Sequence, residues 1–195
     1  GSFSVSWPLL GMDCPDCAMK ASKALRRLSG IEDCYVSATE GRVRVSLDVA
    51  RGNTYKISSL LDKLGHSADV TWLSLANQRI SDVESRTGLN NKKLLNSISN
   101  IIGVLSVRVK SERLELQLLE TSDLQIILSR KKMLAMFFGN DYLLMRTNHS
   151  YLDKEHIQLI GAILTIPFLL LIILLEQIPS VPNLMIIMIS FVGVS

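Results

Sequence analysis

Apolar and polar residues alternate in two short stretches near the amino terminus, Val5, Trp7 and Leu9, then Val43, Val45 and Leu47. A period of two marks strands with one buried face. Between them Cys17, Ala21, Ala24, Leu25 and Leu28 recur at helical spacing, with Asp16 as the expected N-cap and Gly30 as the stop. A strand at 33 to 39 follows and Glu40-Gly41 turns the chain. Ile57, Leu60, Leu61 and Leu64 predict a second helix, and Ala68, Val70 and Trp72 a closing strand. The predicted order is βαββαβ, the split βαβ or ferredoxin-like α+β arrangement, with helices on one face of an antiparallel sheet. Pro8 falls in a strand that would be central, where a missing donor is costly, so a bulge is expected there.

The pattern returns over residues 76 to 147. Gly103 follows a predicted helix at 89 to 102 as Gly30, 73 residues earlier, follows the one at 17 to 29. Val107 and Val109, then Leu114, Leu116 and Leu118, predict a hairpin. Leu124, Ile127, Leu128 and Leu134 predict a helix in which Met133 and Met136 read as core, and 141 to 146 a short strand. At the same offset Thr87 and Asn90 replace Cys14 and Cys17, which leaves the second copy a spacer or docking role.

Hydropathy then rises sharply. Residues 157 to 175, IQLIGAILTIPFLLLIILL, are an uncharged run of 19, close to the roughly 20 a membrane-spanning helix needs. A first span is expected at 157 to 176, kinked at Pro167. The start of a second is expected at 183 to 195, in a chain that continues further. Lys131, Lys132, Arg146 and Lys154 precede the first run, and the connector EQIPSVPN carries no Lys or Arg. The positive-inside rule therefore predicts a multi-pass cell-membrane protein with residues 1 to 155 in the cytoplasm. The expected domains are 3 to 75, the degenerate copy at 76 to 148, and a linker at 149 to 156.

Of the 195 residues 48% are hydrophobic, concentrated towards the carboxyl end, and the net charge is +3. That charge, without a basic and aromatic patch, excludes a nucleic-acid partner. The apolar run lies too far along the chain for a secretory signal. Three cysteines in a cytosolic segment suit metal binding or redox work better than a disulfide framework.

Chemistry concentrates in Gly11-Met12-Asp13-Cys14-Pro15-Asp16-Cys17, at the junction of the first strand and first helix. Two thiolates suit a soft metal, and two intervening residues let both sulfurs face one ion. The helix amino terminus is expected to lower the pKa of Cys17. Gly11 permits a sharp bend, and Met12 is expected to turn inward as an anchor. His66, after Gly65, is a candidate fourth ligand or a surface histidine. Cys34 shares a face with Val36 and Ala38 and reads as structural.

GMDCPDCAMKASKALRRLSGI resembles the heavy-metal-associated domain motif, Gly-Met-x-Cys-x-x-Cys with its helix and glycine stop, over residues 3 to 73. The resemblance implies a metallochaperone or, given the apolar runs, the amino-terminal region of a heavy-metal P-type ATPase. Its partners would be the metal ion, the lipid bilayer and the remaining ATPase domains. Gly193 would begin the glycine-broken part of the second span. No Asp-Lys-Thr-Gly-Thr, Thr-Gly-Glu or Cys-Pro-Cys motif is present, so ATP hydrolysis and transport would belong to a longer protein.

Asp13 bears on which metal. The resemblance places Asp before the first cysteine in zinc, cadmium and lead exporters, and a neutral residue in copper ones. A carboxylate suits Zn2+, Cd2+ or Pb2+, which take mixed oxygen and sulfur ligands, better than linear copper(I). The expected ligands are Cys14, Cys17 and Asp13, with His66 added, and Cu+ is the alternative cargo. A membrane-tethered thiol oxidoreductase is the rival from another class, since C-x-x-C at a helix start is also a redox motif. Against it, no aromatic residue stands just before Cys14, and Gly-Met-Asp leads into the motif.

Overall fold

The structure, a computed structural model, describes residues 2–48 and 50–147. The linker at 149 to 156 and both apolar runs lie outside them. Among the described residues no helix is long and apolar enough to cross a membrane.

Strand β1, Ser2–Pro8, leads into helix α1, Pro15–Leu25, then into β2, Ile31–Ser37, β3, Arg42–Asp48, and helix α2, Thr54–Lys63. The strands pair antiparallel in the order β1-β3-β2. Their alternation sends Val5, Trp7, Cys34, Val36, Val43, Val45 and Leu47 to one face, against Ala18, Ala21 and Leu25 of α1 and Ile57 and Leu61 of α2. Each fully buried large apolar side chain contributes roughly 1.5–3 kcal/mol.

The remaining elements are β4, Trp72–Leu75, α3, Ile80–Thr87, α4, Asn91–Ser99, β5, Val104–Lys110, β6, Arg113–Leu118, α5, Leu124–Phe138, and β7, Leu144–Arg146. This second sheet has the order β5-β6-β4-β7. Counted from its own first strand that is 2-3-1-4, the ferredoxin-like order, with two helices, α3 and α4, in its first crossover. Its core holds Leu75, Val83, Leu94, Ile98, Leu114, Leu116, Leu134 and Phe138.

The copies keep step in detail. Gly30 and Gly103 both carry positive φ, +83° and +81°. A register shift follows each, between Ile31 and Asp33 and between Val104 and Ser106.

Four expectations change. First, Trp72 does not close the first sheet. There the fourth strand shrinks to one bridge, Leu9 to Ala68, flanked by hydrogen bonds from Asp69 N–H to the Pro8 carbonyl and from Leu10 N–H to the Ser67 carbonyl, both 2.9 Å. The chain then crosses to the second sheet because Gln117 of β6 donates from Nε2 to the carbonyls of Ala68, 3.0 Å, and Val70, 2.6 Å. Second, no bulge forms at Pro8, which pairs in register with Arg42. Its nitrogen lies on the same side as its carbonyl, towards 69 to 70, where no ladder needs a donor.

Third, the helix predicted at 89 to 102 is the shorter α4, Asn91–Ser99, and an unpredicted helix, α3, precedes it. Gly88 ends α3 in the left-handed conformation, and the Asn90 side chain caps α4 by accepting from Lys93 N–H at 3.0 Å. Fourth, Met133 and Met136 are exposed, at 38% and 67%. The inward row of α5 is Ile126, Arg130, Leu134 and Phe138, four residues apart, with Arg130 donating to the Leu119 carbonyl at 2.7 Å. Burial lowers the pKa of this guanidinium, with Tyr142 acting the other way.

Both copies belong to one compact unit, Gly1–Thr147. Leu105, Leu119 and Ile126 of the second copy complete the first copy's core. The buried Thr54 hydroxyl, at the start of α2, donates to the Val104 carbonyl at 2.8 Å and accepts from Gly103 N–H at 3.1 Å.

Candidate metal centre

The loop between β1 and α1 is held at three points. The Leu9–Ala68 bridge fixes its start. Gly11 turns it at φ +62°, and the Met12 side chain, 3% exposed, enters the core as the expected anchor. Asp13 beyond it faces solvent, and Cys14 and Cys17 are half-buried.

Cys14, not Asp16, is the N-cap of α1. Its backbone is extended, φ −104° and ψ 119°, and its Sγ accepts from Cys17 N–H at 3.3 Å. Pro15 takes the first helical position, where its fixed φ and absent N–H cost nothing. That proline was the available signal: it makes the preceding residue the cap. Asp16 lies in the first turn, where a carboxylate suits the helix dipole.

Capping reverses the expected order of thiol acidity. The Cys14 pKa is lowered, first by the side-chain hydrogen bond with Cys17 and then by the Cys17 amide. The Cys17 pKa is raised, chiefly by that same bond, with Lys20 pulling the other way. Cys14 is therefore the sulfur that gives up its proton more readily, and the pair can close on a soft cation with loss of both thiol protons.

The other candidates are placed separately. His66 Nδ1 lies 3.3 Å from the Leu10 carbonyl, so the histidine ties the end of α2 to the loop. Leu10, which sequence reasoning passed over, is thus held twice, by His66 and by Ser67. Cys34 is buried, with Sγ donating to the Ser22 carbonyl at 3.4 Å, and burial raises its pKa. Among the described residues no three His, Cys, Asp or Glu side chains gather closely enough to hold a metal. Asp13 and His66 therefore do not converge with the two sulfurs in this conformation.

In the second copy the corresponding cap is Asn90, and Lys93 stands at the place of Cys17, 76 residues on at each position. The expected match of Thr87 and Asn90 fails because α4 is two residues shorter than α1 and the stretch from its end to Gly103 is one residue shorter than that from α1 to Gly30. A carboxamide and an ammonium group replace the thiol pair.

Residues 9–67 match the family described as heavy-metal-associated domain. No curated protein matches the chain. Among solved structures, the water-soluble region of the P-type ATPase CopA from Bacillus subtilis is 21% identical, with 78% of this chain and 97% of that one covered and a TM-score of 0.39. Oxidized MerP from Ralstonia metallidurans is 20% identical, covering 35% of this chain and 96% of its own, at a TM-score of 0.34. The copper(I)-loaded amino-terminal domain of a potential copper-translocating P-type ATPase from Bacillus subtilis is 22% identical, covering 35% and 85%, at a TM-score of 0.33. Residues 9–67 of this chain are a heavy-metal-associated domain.

Proposed function

We propose that Cys14 and Cys17 capture a soft metal ion as cargo for the membrane part of a heavy-metal P-type ATPase, of which this chain is the cytoplasmic amino-terminal region and first span. The observation that carries the capture step is the thiol pair itself, with Cys14 capping α1 over the Cys17 amide. The membrane step rests on the uncharged run at 157 to 175 and the lysines and arginines before it. ATP-driven translocation would belong to the longer protein.

Two cargoes compete. Asp13 beside Cys14 favours zinc, cadmium or lead, with the carboxylate, and His66 after a loop movement, completing the shell. The two adjoining sulfurs by themselves suit two-coordinate copper(I). Competition titration of the full chain in detergent with zinc, cadmium and copper(I) separates them. One ion per chain should bind, with affinity falling at least about a hundredfold in both Cys14→Ser and Cys17→Ser, because each removes one of two thiolate ligands. If Asp13→Ala leaves zinc binding intact while copper(I) binds tightly, the divalent assignment fails. Retention of any metal by both serine variants overturns the site.

A further inference from the structure

Helix α5 has a second face that the described residues leave uncovered. Opposite the inward row runs Leu124, Leu128, Lys132 and Met136, again four residues apart and therefore aligned on one side of the helix. Leu124, Leu128 and Met136 are 69%, 63% and 67% exposed, and Lys131 lies exposed alongside. The helix, LQIILSRKKMLAMFF, contains no acidic residue. The carboxylates that flank it in sequence are Glu120 and Asp123 before the first turn and Asp141 beyond the C-cap, and Asp123 is engaged as N-cap to the amides of Gln125 and Ile126. After α5 come the exposed Leu143, Met145 and Arg146. The 19-residue apolar run then opens ten residues beyond Thr147.

We infer that the outer face of α5 docks on an anionic lipid bilayer, so that the copy without cysteines holds the metal-binding copy at the membrane surface. An aqueous surface gives three large apolar side chains in one row no return for their exposure. A bilayer interface does, because apolar groups enter the acyl boundary while neighbouring lysines reach phosphate. The occupant is argued from charge and tether. Cationic side chains without acidic neighbours on the helix complement anionic headgroups, and the chain leaving this unit runs within ten residues into the segment read as membrane-spanning. The inference rests on that reading for the tether, although the face itself does not.

The test uses the full chain in vesicles of phosphatidylcholine alone or mixed equally with phosphatidylglycerol. A benzophenone photo-crosslinker replaces Leu128, or, as control, Tyr35, which is exposed in the first copy. Phospholipid adducts at 128 should exceed those at 35 in the mixed vesicles. Exchanging Lys131→Gln and Lys132→Gln should cut the yield at 128 by roughly tenfold, two cations being removed from an anionic surface. Equal adduct yields at 128 and 35 in both compositions overturn the docking, as does a crosslink from 128 to a second copy of the chain in place of lipid. Alkaline carbonate extraction tests the span separately. A chain stripped from the bilayer by carbonate loses the spanning assignment, while lipid adducts at 128 under neutral conditions would still uphold the docking face.

Discussion

The thiol at position 14 is both a helix cap and a proposed ligand, and the two roles have opposite demands. As cap it points at the Cys17 amide; as ligand it turns its remaining lone pairs to the cation. Because its pKa is lowered and that of Cys17 raised, iodoacetamide should modify Cys14 first in the metal-free, reduced protein. Its rate should climb at a pH below the ordinary thiol range of about 8.5. Peptide mapping across a pH series would check this, and equal rates at both sites would show that the cap does not set the acidity. The sign for metal binding follows: lowering pH through the Cys14 pKa adds proton competition at the first sulfur, and raising it relieves competition at the second.

At the scale of elements, strands and helices with a single clear period were legible. Val43, Val45 and Leu47 announce β3, and Ile57 with Leu61 the inner face of α2, because burial on one side imposes spacing. Helix α3 escaped notice since only Val83 among its residues is buried, too little to create a pattern. Leu128 and Met136 misled for the converse reason: apolar residues at helical spacing cannot reveal which of two faces finds a partner. Capping was legible at Pro15 and overlooked in favour of the more familiar carboxylate at Asp16.

The repeated glycines give a graded test. A Cβ at Gly30 would stand 2.5 Å from the backbone of Arg51 and Gly52, whereas one at Gly103 would meet the flexible Arg130 side chain at 3.0 Å. Both residues have positive φ, where a side chain costs of order 1–3 kcal/mol. Gly103→Ala should fall within that range and Gly30→Ala above it, measured by urea denaturation. Equal losses would mean that the chain at 51 to 52 gives way freely.

On the scale of the whole molecule, the two copies share side chains and buried hydrogen bonds and should unfold together. Trp7 reports the first core and Trp72 the second sheet. In a Trp72→Phe variant, the remaining Trp7 fluorescence and the far-ultraviolet circular dichroism should give one midpoint. Separated midpoints would make the copies independent. Thr54→Val should lower stability by about 1–3 kcal/mol, because it strands the Val104 carbonyl and the Gly103 amide in the interior. It should do so without splitting the transition.

The passage of the chain from one sheet to the other between Val70 and Trp72 also governs how such a protein can be shortened or recombined. A piece cut after Leu75 would carry off the strand that lies between β6 and β7, leaving Leu73 and Leu75 with no sheet to join. A cut after Val70 keeps that strand with its own sheet but strips Gln117 from the carbonyls it gathers. Neither scissor line is clean, so the two copies do not trade as separate modules. The copy without cysteines serves the other as architecture, through the side chains it lends to that core.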